Sequence, residues 1–408
     1  MVIPELLVPA GNFECAEAAF SSGADAVYVG IGQQNLRAHS PNFTLRNLPD
    51  LLEHAHQRGK KVYAALNTMP DDGMLAAIRN IIHQLSFSPR KPDALIVSDP
   101  GVISLCRDTL PGMPLHLSTQ TGTFNIESAR FWAEHGITRV VLPREMSRES
   151  ISHFAAAAPC ETEIFVHGAM CMSISGRCLL GAYMAYRHPN HGDCPQPCRL
   201  EYTLAPATTE RADESYDIEQ VNDTAYLMNS KDLCGLPILD KLATTGVHSL
   251  KIEGRNKSVH YVTTVARVYR RALDSLRTDP AAYTAQSRWR NELEQLDHRP
   301  YTTGFYDGEY VLQSLDAAKS SSKIRVVAVV KDTLADNRMV VDVKNPFELH
   351  ESLSVTPSRP NQQIFEITIE ALTDLANTPL NKAQTNRIAV IRASSRLRFG
   401  DILRRIQP

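Results

Sequence analysis

Short apolar runs and amphipathic stretches alternate along the first 170 residues. The apolar runs fall at 6–9, 26–30, 62–66, 94–97, 115–117, 139–142 and 164–166. Between them lie segments such as FECAEAAFSSG, LPDLLEHAHQRG, GMLAAIRNIIHQL, GVISLCRDTL and ESARFWAEHG, whose apolar positions recur every three or four residues. Several of these close on glycine (Gly23, Gly59, Gly136), as a left-handed helix C-cap demands. Buried strands alternating with helices predict βα units and a parallel sheet. Seven such units, with an eighth strand at 249–252, predict an α/β fold of the (β/α)8 TIM-like barrel type. The first turn carries no GxGxxG, which disfavours a dinucleotide-binding sheet.

The rhythm breaks at 168–248, a cysteine-rich insertion that includes the polar stretch TTERADESYDIEQVNDT, read as a surface loop. A helix over 257–276 closes the barrel, so residues 1–277 form one domain. A helical connector is expected over 278–322. From 323 to 408 the pattern turns to five runs without intervening helices (IRVVAVV, RMVVDV, SLSVTP, IFEITIEAL, RIAVIRA), which predicts a small C-terminal β-barrel.

Composition narrows the function classes. The 408 residues are 43% hydrophobic and 22% charged, the balance of a globular chain. Lys and Arg number 43 against 45 Asp and Glu, so any nucleic-acid contact rests on a local basic face. No window approaches the roughly 18 apolar residues of a membrane span, and the opening MVIPELLVPAGN does not resemble a secretory leader. A cytoplasmic protein is expected, with its eight cysteines reduced.

Four of those cysteines, Cys171, Cys178, Cys194 and Cys198, lie within 28 residues at separations of 7, 16 and 4. The segment is rich in glycine and proline, a backbone that can wrap a metal centre. Four thiolates suit structural zinc or an iron–sulfur cluster. The spacing is looser than paired zinc knuckles and favours a cluster. Cys171 follows the seventh strand, which places the segment at the C-terminal face where barrel enzymes keep their chemistry.

Strand-end residues are the other candidates. Gln120, Glu145, His167 and Glu253 are candidate catalytic groups, and Asn67 and Asp99 candidate substrate ligands. Arg37, Arg177 and Arg255, with Arg144, are candidate clamps for carboxylate or phosphate, because guanidinium meets both bidentately. Near the C-terminus Arg387, Arg392, Arg396, Arg398, Arg404 and Arg405 face only Asp401, and Arg392, Arg396 and Arg398 are taken as RNA-binding. Arg267, Arg270 and Arg271 add to this basic character.

Several stretches are similar to the collagenase-like peptidase family: EIFVHGAMCMSISGRCLL, PELLVPAG, GADAVYVG, ALIVSDPG, LHLSTQ, PNHGDCPQPCRLEY, MNSKDL and GVHSLKIEGR. They reach to about residue 310. The resemblance is strongest to a branch that hydroxylates the wobble uridine of tRNA to 5-hydroxyuridine without oxygen and depends on prephenate. It implies a [4Fe-4S] cluster on Cys171, Cys178, Cys194 and Cys198, with Cys234 the rival for the fourth place. It also implies tRNA and prephenate as partners, together with electron or cluster donor proteins. Proteolysis, hydroxylation of rRNA or of a ubiquinone precursor, and a metal-stabilised RNA-binding module are the competing readings. GxSxG and HExxH are absent, which speaks against two common hydrolase designs.

Overall fold

The computed structural model describes residues 2–200, 202, 228–281, 283–308, 324–334 and 336–406. The polar stretch at 208–224 and the end of the expected connector lie outside them. Strands β1 (Glu5–Pro9), β2 (Ala26–Gly30), β3 (Lys61–Leu66), β4 (Ala94–Val97), β5 (Leu115–Leu117), β6 (Ile137–Val141) and β7 (Glu161–Ala169) pair in sequence order, all parallel. Strand β8 (Asp232–Cys234) runs antiparallel to the end of β7, and β9 (Ser249–Ile252) pairs with both β7 and β1. That last pairing closes an eight-stranded parallel barrel of β1–β7 and β9, as the periodicity predicts.

Helices α1 (Phe13–Ser21), α2 (Leu48–His56), α3 (Asp72–Phe87), α4 (Pro100–Thr109), α5 (Ile126–Glu134) and α6 (Arg148–Ala157) each follow one of the first six strands. Their starts are set by local chemistry. The side chains of Asn12, Asp71, Asp99, Asn125 and Ser147 accept hydrogen bonds from backbone N–H groups of the first turn. Such caps contribute about 1 kcal/mol each. A short α7 (Leu180–Ala185) lies in the cysteine segment, followed by α8 (Leu239–Ala243), the long α9 (Val259–Thr278) and α10 (Ser287–Glu294). Strand β10 (Tyr301–Thr302) then pairs with β8. Among the described residues no helix is long and apolar enough to cross a membrane.

Two different interiors result. Between strands and helices lies a continuous aliphatic core that includes Leu6, Val8, Val27, Val29, Leu66, Leu95, Val97, Ile164 and Leu250. Inside the barrel the lower layer is ionic. Arg139 pairs with Glu5 at 2.7 Å and with Glu163 at 3.2 Å, and Lys251 pairs with Glu163 at 2.8 Å. Burial raises the Glu163 pKa, but Lys251 and Arg139 outweigh it and hold the carboxyl at about 2. Charges this deep persist only where each has its partner. This plug forms the floor beneath the C-terminal mouth.

The C-terminal barrel comprises β11 (Ile324–Thr333), β12 (Met339–Val343), a two-residue β13 (Phe347–Glu348), β14 (Ser352–Thr356), β15 (Phe365–Thr373), a two-residue β16 (Lys382–Ala383), β17 (Ile388–Ala393) and β18 (Ile402–Ile406). Six of these close antiparallel in the order β11-β12-β17-β15-β14-β18. The sixth, β18, is missed by the apolar pattern because Arg404 and Arg405 interrupt ILRRI. Arg404 is buried and donates to Gln295 Oε1 at 2.7 Å, and Arg405 pairs with Glu351. These two arginines are structural, which corrects their place in the basic run. Arg267, Arg270 and Arg271 are likewise committed, to Glu292 and Asp25.

Candidate active site

A cavity of about 830 Å³ opens at the C-terminal mouth of the parallel barrel. Its floor includes Tyr28, Ala65, Ile96 and Phe165, with Lys251 set 4.6 Å from the centre of the Tyr28 ring. Cys171, Cys178, Cys194 and Cys198 all line it. Among the described residues, six cationic side chains line it too, Arg37, Arg144, Arg187, Arg199, Lys251 and Arg255, against the carboxylates Glu145 and Glu253; of the six, Lys251 is paired with Glu163 and Arg187 with Asp193. The mouth is therefore an anion-attracting pocket.

Glu253 follows β9 and forms a 3.0 Å ion pair with Arg37, whose segment follows β2. Burial raises the Glu253 pKa, yet Arg37, Arg144 and Arg199 outweigh it and hold the carboxyl below its ordinary range. Arg255, two residues on, is buried and donates to Asn35 Oδ1. Burial, then the charge of Arg37, lowers its pKa to about 10. Its Nε has no hydrogen-bond partner. Arg144 donates to the carbonyl of Ala169 at 2.7 Å and lies 3.8 Å from the centre of the Phe165 ring. The cationic wall is fixed by these contacts before any ligand arrives.

A neutral wall faces it. Asn67 follows β3, and Ser118 and Gln120 follow β5. Asn67 Nδ2 donates to Ser118 Oγ at 3.3 Å and to Gln120 Oε1 at 3.5 Å. Glu145, after β6, accepts from the backbone N–H of Ser175 at 2.6 Å through one oxygen, while its other oxygen is unpartnered.

The four cysteines suit a bound metal cluster in ligand chemistry. They line a single cavity, and the Leu180 N–H donates to Cys178 Sγ at 3.3 Å. Backbone donors of that kind tune thiolate-bound clusters. Among the described residues no three His, Cys, Asp or Glu side chains converge tightly enough for a single ion. Cys234, the rival fourth ligand, is buried on β8 beside Tyr269 and does not line the cavity.

Three expected site residues fall elsewhere. His167 is 1% exposed and lies outside the cavity. A β-bulge between Phe165 and His167 in the β7–β9 pairing turns it outward, against Tyr261, Tyr269 and Tyr301. Asp99 caps α4, accepting from the Val102 N–H at 3.0 Å, and is likewise off the cavity. Arg177 is exposed and does not line the cavity. Cavity residues the strand-end reasoning overlooked include Lys251, Tyr28, Ser118, Ser175 and Arg199. Lys251 carried a readable signal, a lysine at the centre of the buried strand SLKI. His167 and Ser175 do not form a serine–histidine pair, since His167 faces Tyr269 and Ser175 Oγ has no hydrogen-bond partner.

Comparison with known proteins agrees with the motif reading. The chain is 39% identical over 344 residues to "tRNA hydroxylation protein P" of Haemophilus influenzae, covering 74% of each chain. It is 34% identical over 384 residues to "tRNA hydroxylation protein P1" of Bacillus subtilis, covering 93% of this chain and 89% of that one. It is 33% identical over 362 residues to the Escherichia coli "23S rRNA 5-hydroxycytidine C2501 synthase", covering 87% of this chain and 53% of that one. The model of peptidase family U32 matches residues 11–314, and the chain belongs to that family.

Proposed function

We propose that this protein is an RNA-modifying hydroxylase that converts the wobble uridine of tRNA to 5-hydroxyuridine without molecular oxygen. In this reading prephenate is the co-substrate, Cys171, Cys178, Cys194 and Cys198 hold a [4Fe-4S] cluster, and donor proteins supply electrons or the cluster itself. The observation that carries the proposal is the sharing of one cavity by four thiols and a cationic wall. The names of the two tRNA hydroxylation relatives support tRNA as substrate, and the third relative's name supports modification of a pyrimidine.

The cavity volume suits a nucleobase together with a small dianion. A base in a single-stranded anticodon loop can unstack into such a mouth at low cost. When bound, the cluster supplies one-electron transfer beside the substrate. The chain's own residues bind and orient. Arg37, Arg144, Arg199 and Arg255 offer guanidinium to the two carboxylates of prephenate, and Glu253 holds Arg37 in place. Ionised Glu253 is poorly suited to donate a proton at neutral pH, so it acts as a positioning group.

The test joins metal content to nucleoside analysis. Protein purified anaerobically is expected to be brown, with a broad absorption band near about 400 nm. Alanine at Cys171, Cys178, Cys194 or Cys198 should abolish both iron and 5-hydroxyuridine in a complemented deletion strain, whereas Cys15→Ala and Cys234→Ala should preserve both. Colourless protein with stoichiometric zinc overturns the cluster. Normal modification by iron-free Cys171→Ala overturns the enzyme reading.

A further inference from the structure

The neutral wall holds two buried polar atoms with nothing to bond. Gln120 is 1% exposed, and its Oε1 already accepts from Asn67 Nδ2 and from Ser118 Oγ, the latter at 3.3 Å. Gln120 Nε2 and Asn67 Oδ1 remain without partners. A stranded buried donor or acceptor costs about 1–3 kcal/mol, so two side by side on a cavity wall call for a partner from the cavity, water or ligand. Turning both amides over preserves their mutual bond and again leaves one donor and one acceptor. The surplus is therefore independent of which way the amides point.

We propose that Asn67 and Gln120 form an amide pair that reads the N3–H and an adjacent carbonyl of the target uracil. The chemistry favours this ligand over the co-substrate. A carboxylate only accepts hydrogen bonds and leaves the carbonyl of the pair unsatisfied, whereas the uracil imide edge offers one donor beside one acceptor. Position favours it as well. In the closed barrel β3 and β5 flank β4, which stands opposite β9, so the pair faces the cationic wall of Arg255 and Glu253 across the cavity. The base then lies on the neutral side and the anionic co-substrate on the other, with the reacting carbon between them. Ser118 locks the pair by bonding both amides, and Ser98 Oγ donates to the Asn67 carbonyl at 3.0 Å. The assignment gives Gln120 a recognition role in place of the catalytic one expected from sequence. It rests on the proposed hydroxylation of uridine.

The test uses anaerobically purified holoprotein and two anticodon stem-loop RNAs, one with uridine and one with N3-methyluridine at the wobble position, compared by fluorescence anisotropy. Methylation removes the donor that Asn67 or Gln120 accepts. The parent protein should bind the methylated RNA about tenfold more weakly, the loss expected for one hydrogen bond and its stranded partner. The double variant Asn67→Ala/Gln120→Ala, which leaves no amide to accept from N3–H, should bind both RNAs equally and at the weaker level, with unchanged iron content. Equal binding of the two RNAs by the parent overturns the amide pair while leaving hydroxylation standing. Retained discrimination in the double variant overturns it too. Absence of any RNA binding by the parent overturns hydroxylation and the amide pair together. The methyl comparison needs no variant to fold.

Discussion

At the scale of single residues the site is governed by which charges are already paired. Glu253 is the clearest case, a carboxylate partly buried between β9 and the cationic wall and bonded to Arg37. Its folded pKa is depressed, so its contribution to stability is present above the ordinary carboxylate range and is lost as pH falls through the lower folded value. Glu253→Gln should therefore destabilise the protein at pH 7 by about 1–2 kcal/mol, between the values for exposed and buried pairs. The difference from the parent should shrink in denaturation curves below about pH 4. The variant should keep its iron and lose most wobble-uridine hydroxylation, because Arg37 is no longer held. An unchanged modification level overturns the positioning role of Glu253.

At the scale of elements, one irregular strand decides what the cavity contains. Regular alternation along β7 places Phe165, His167 and Ala169 on one face. The bulge instead sends His167 outward, and Gly168 at φ +105° turns the chain again so that Ala169 lines the cavity. A Cβ on Gly168 would sit 2.6 Å from the Glu253 carbonyl oxygen, so only glycine lets the two strand ends meet there. His167 then belongs to the packing between β7 and α9, where Tyr269 OH lies 3.3 Å from its Nδ1. We expect His167→Ala to cost about 2–4 kcal/mol through the cavity it leaves, read as a lower melting temperature. Hydroxylation in a complemented strain should persist. Abolished modification at full stability would return His167 to the chemistry.

At the scale of the whole molecule, the second barrel is docked on the side of the first. Ser22 Oγ donates to the Ser358 carbonyl at 3.0 Å, Lys331 pairs with Glu14 at 2.7 Å, and Arg404 reaches Gln295. Among the described residues, none from the second barrel lines the cavity. Arg396 and Arg398 are exposed, whereas Arg392 stands 3.6 Å from Glu370. Charge reversal at Arg396 and Arg398 should weaken tRNA binding and lower its salt slope by about one for each phosphate no longer neutralised. Iron content and melting temperature should stay as in the parent. Parental binding by both variants places the RNA contact elsewhere.

Both barrels and the cysteine segment were legible in the amino-acid order alone, because these rest on local signals. Apolar period separates strand from helix, Asn, Asp and Ser mark helix starts, and four clustered cysteines stand out among eight. Strand-end position likewise picked out Asn67, Gln120, Glu145 and Glu253, and guanidinium chemistry picked out Arg37 and Arg255, all of which line the cavity. Which strand ends share a mouth and which turn away was settled by the folded arrangement. A bulge in β7 removes His167, a helix cap consumes Asp99, and the docking of two barrels absorbs Arg404. The ionic floor of Glu163, Arg139 and Lys251 was equally hidden, since each residue alone resembles an ordinary strand charge. What a side chain faces depends on register, bulges and partners distant in sequence, and no local pattern encodes those.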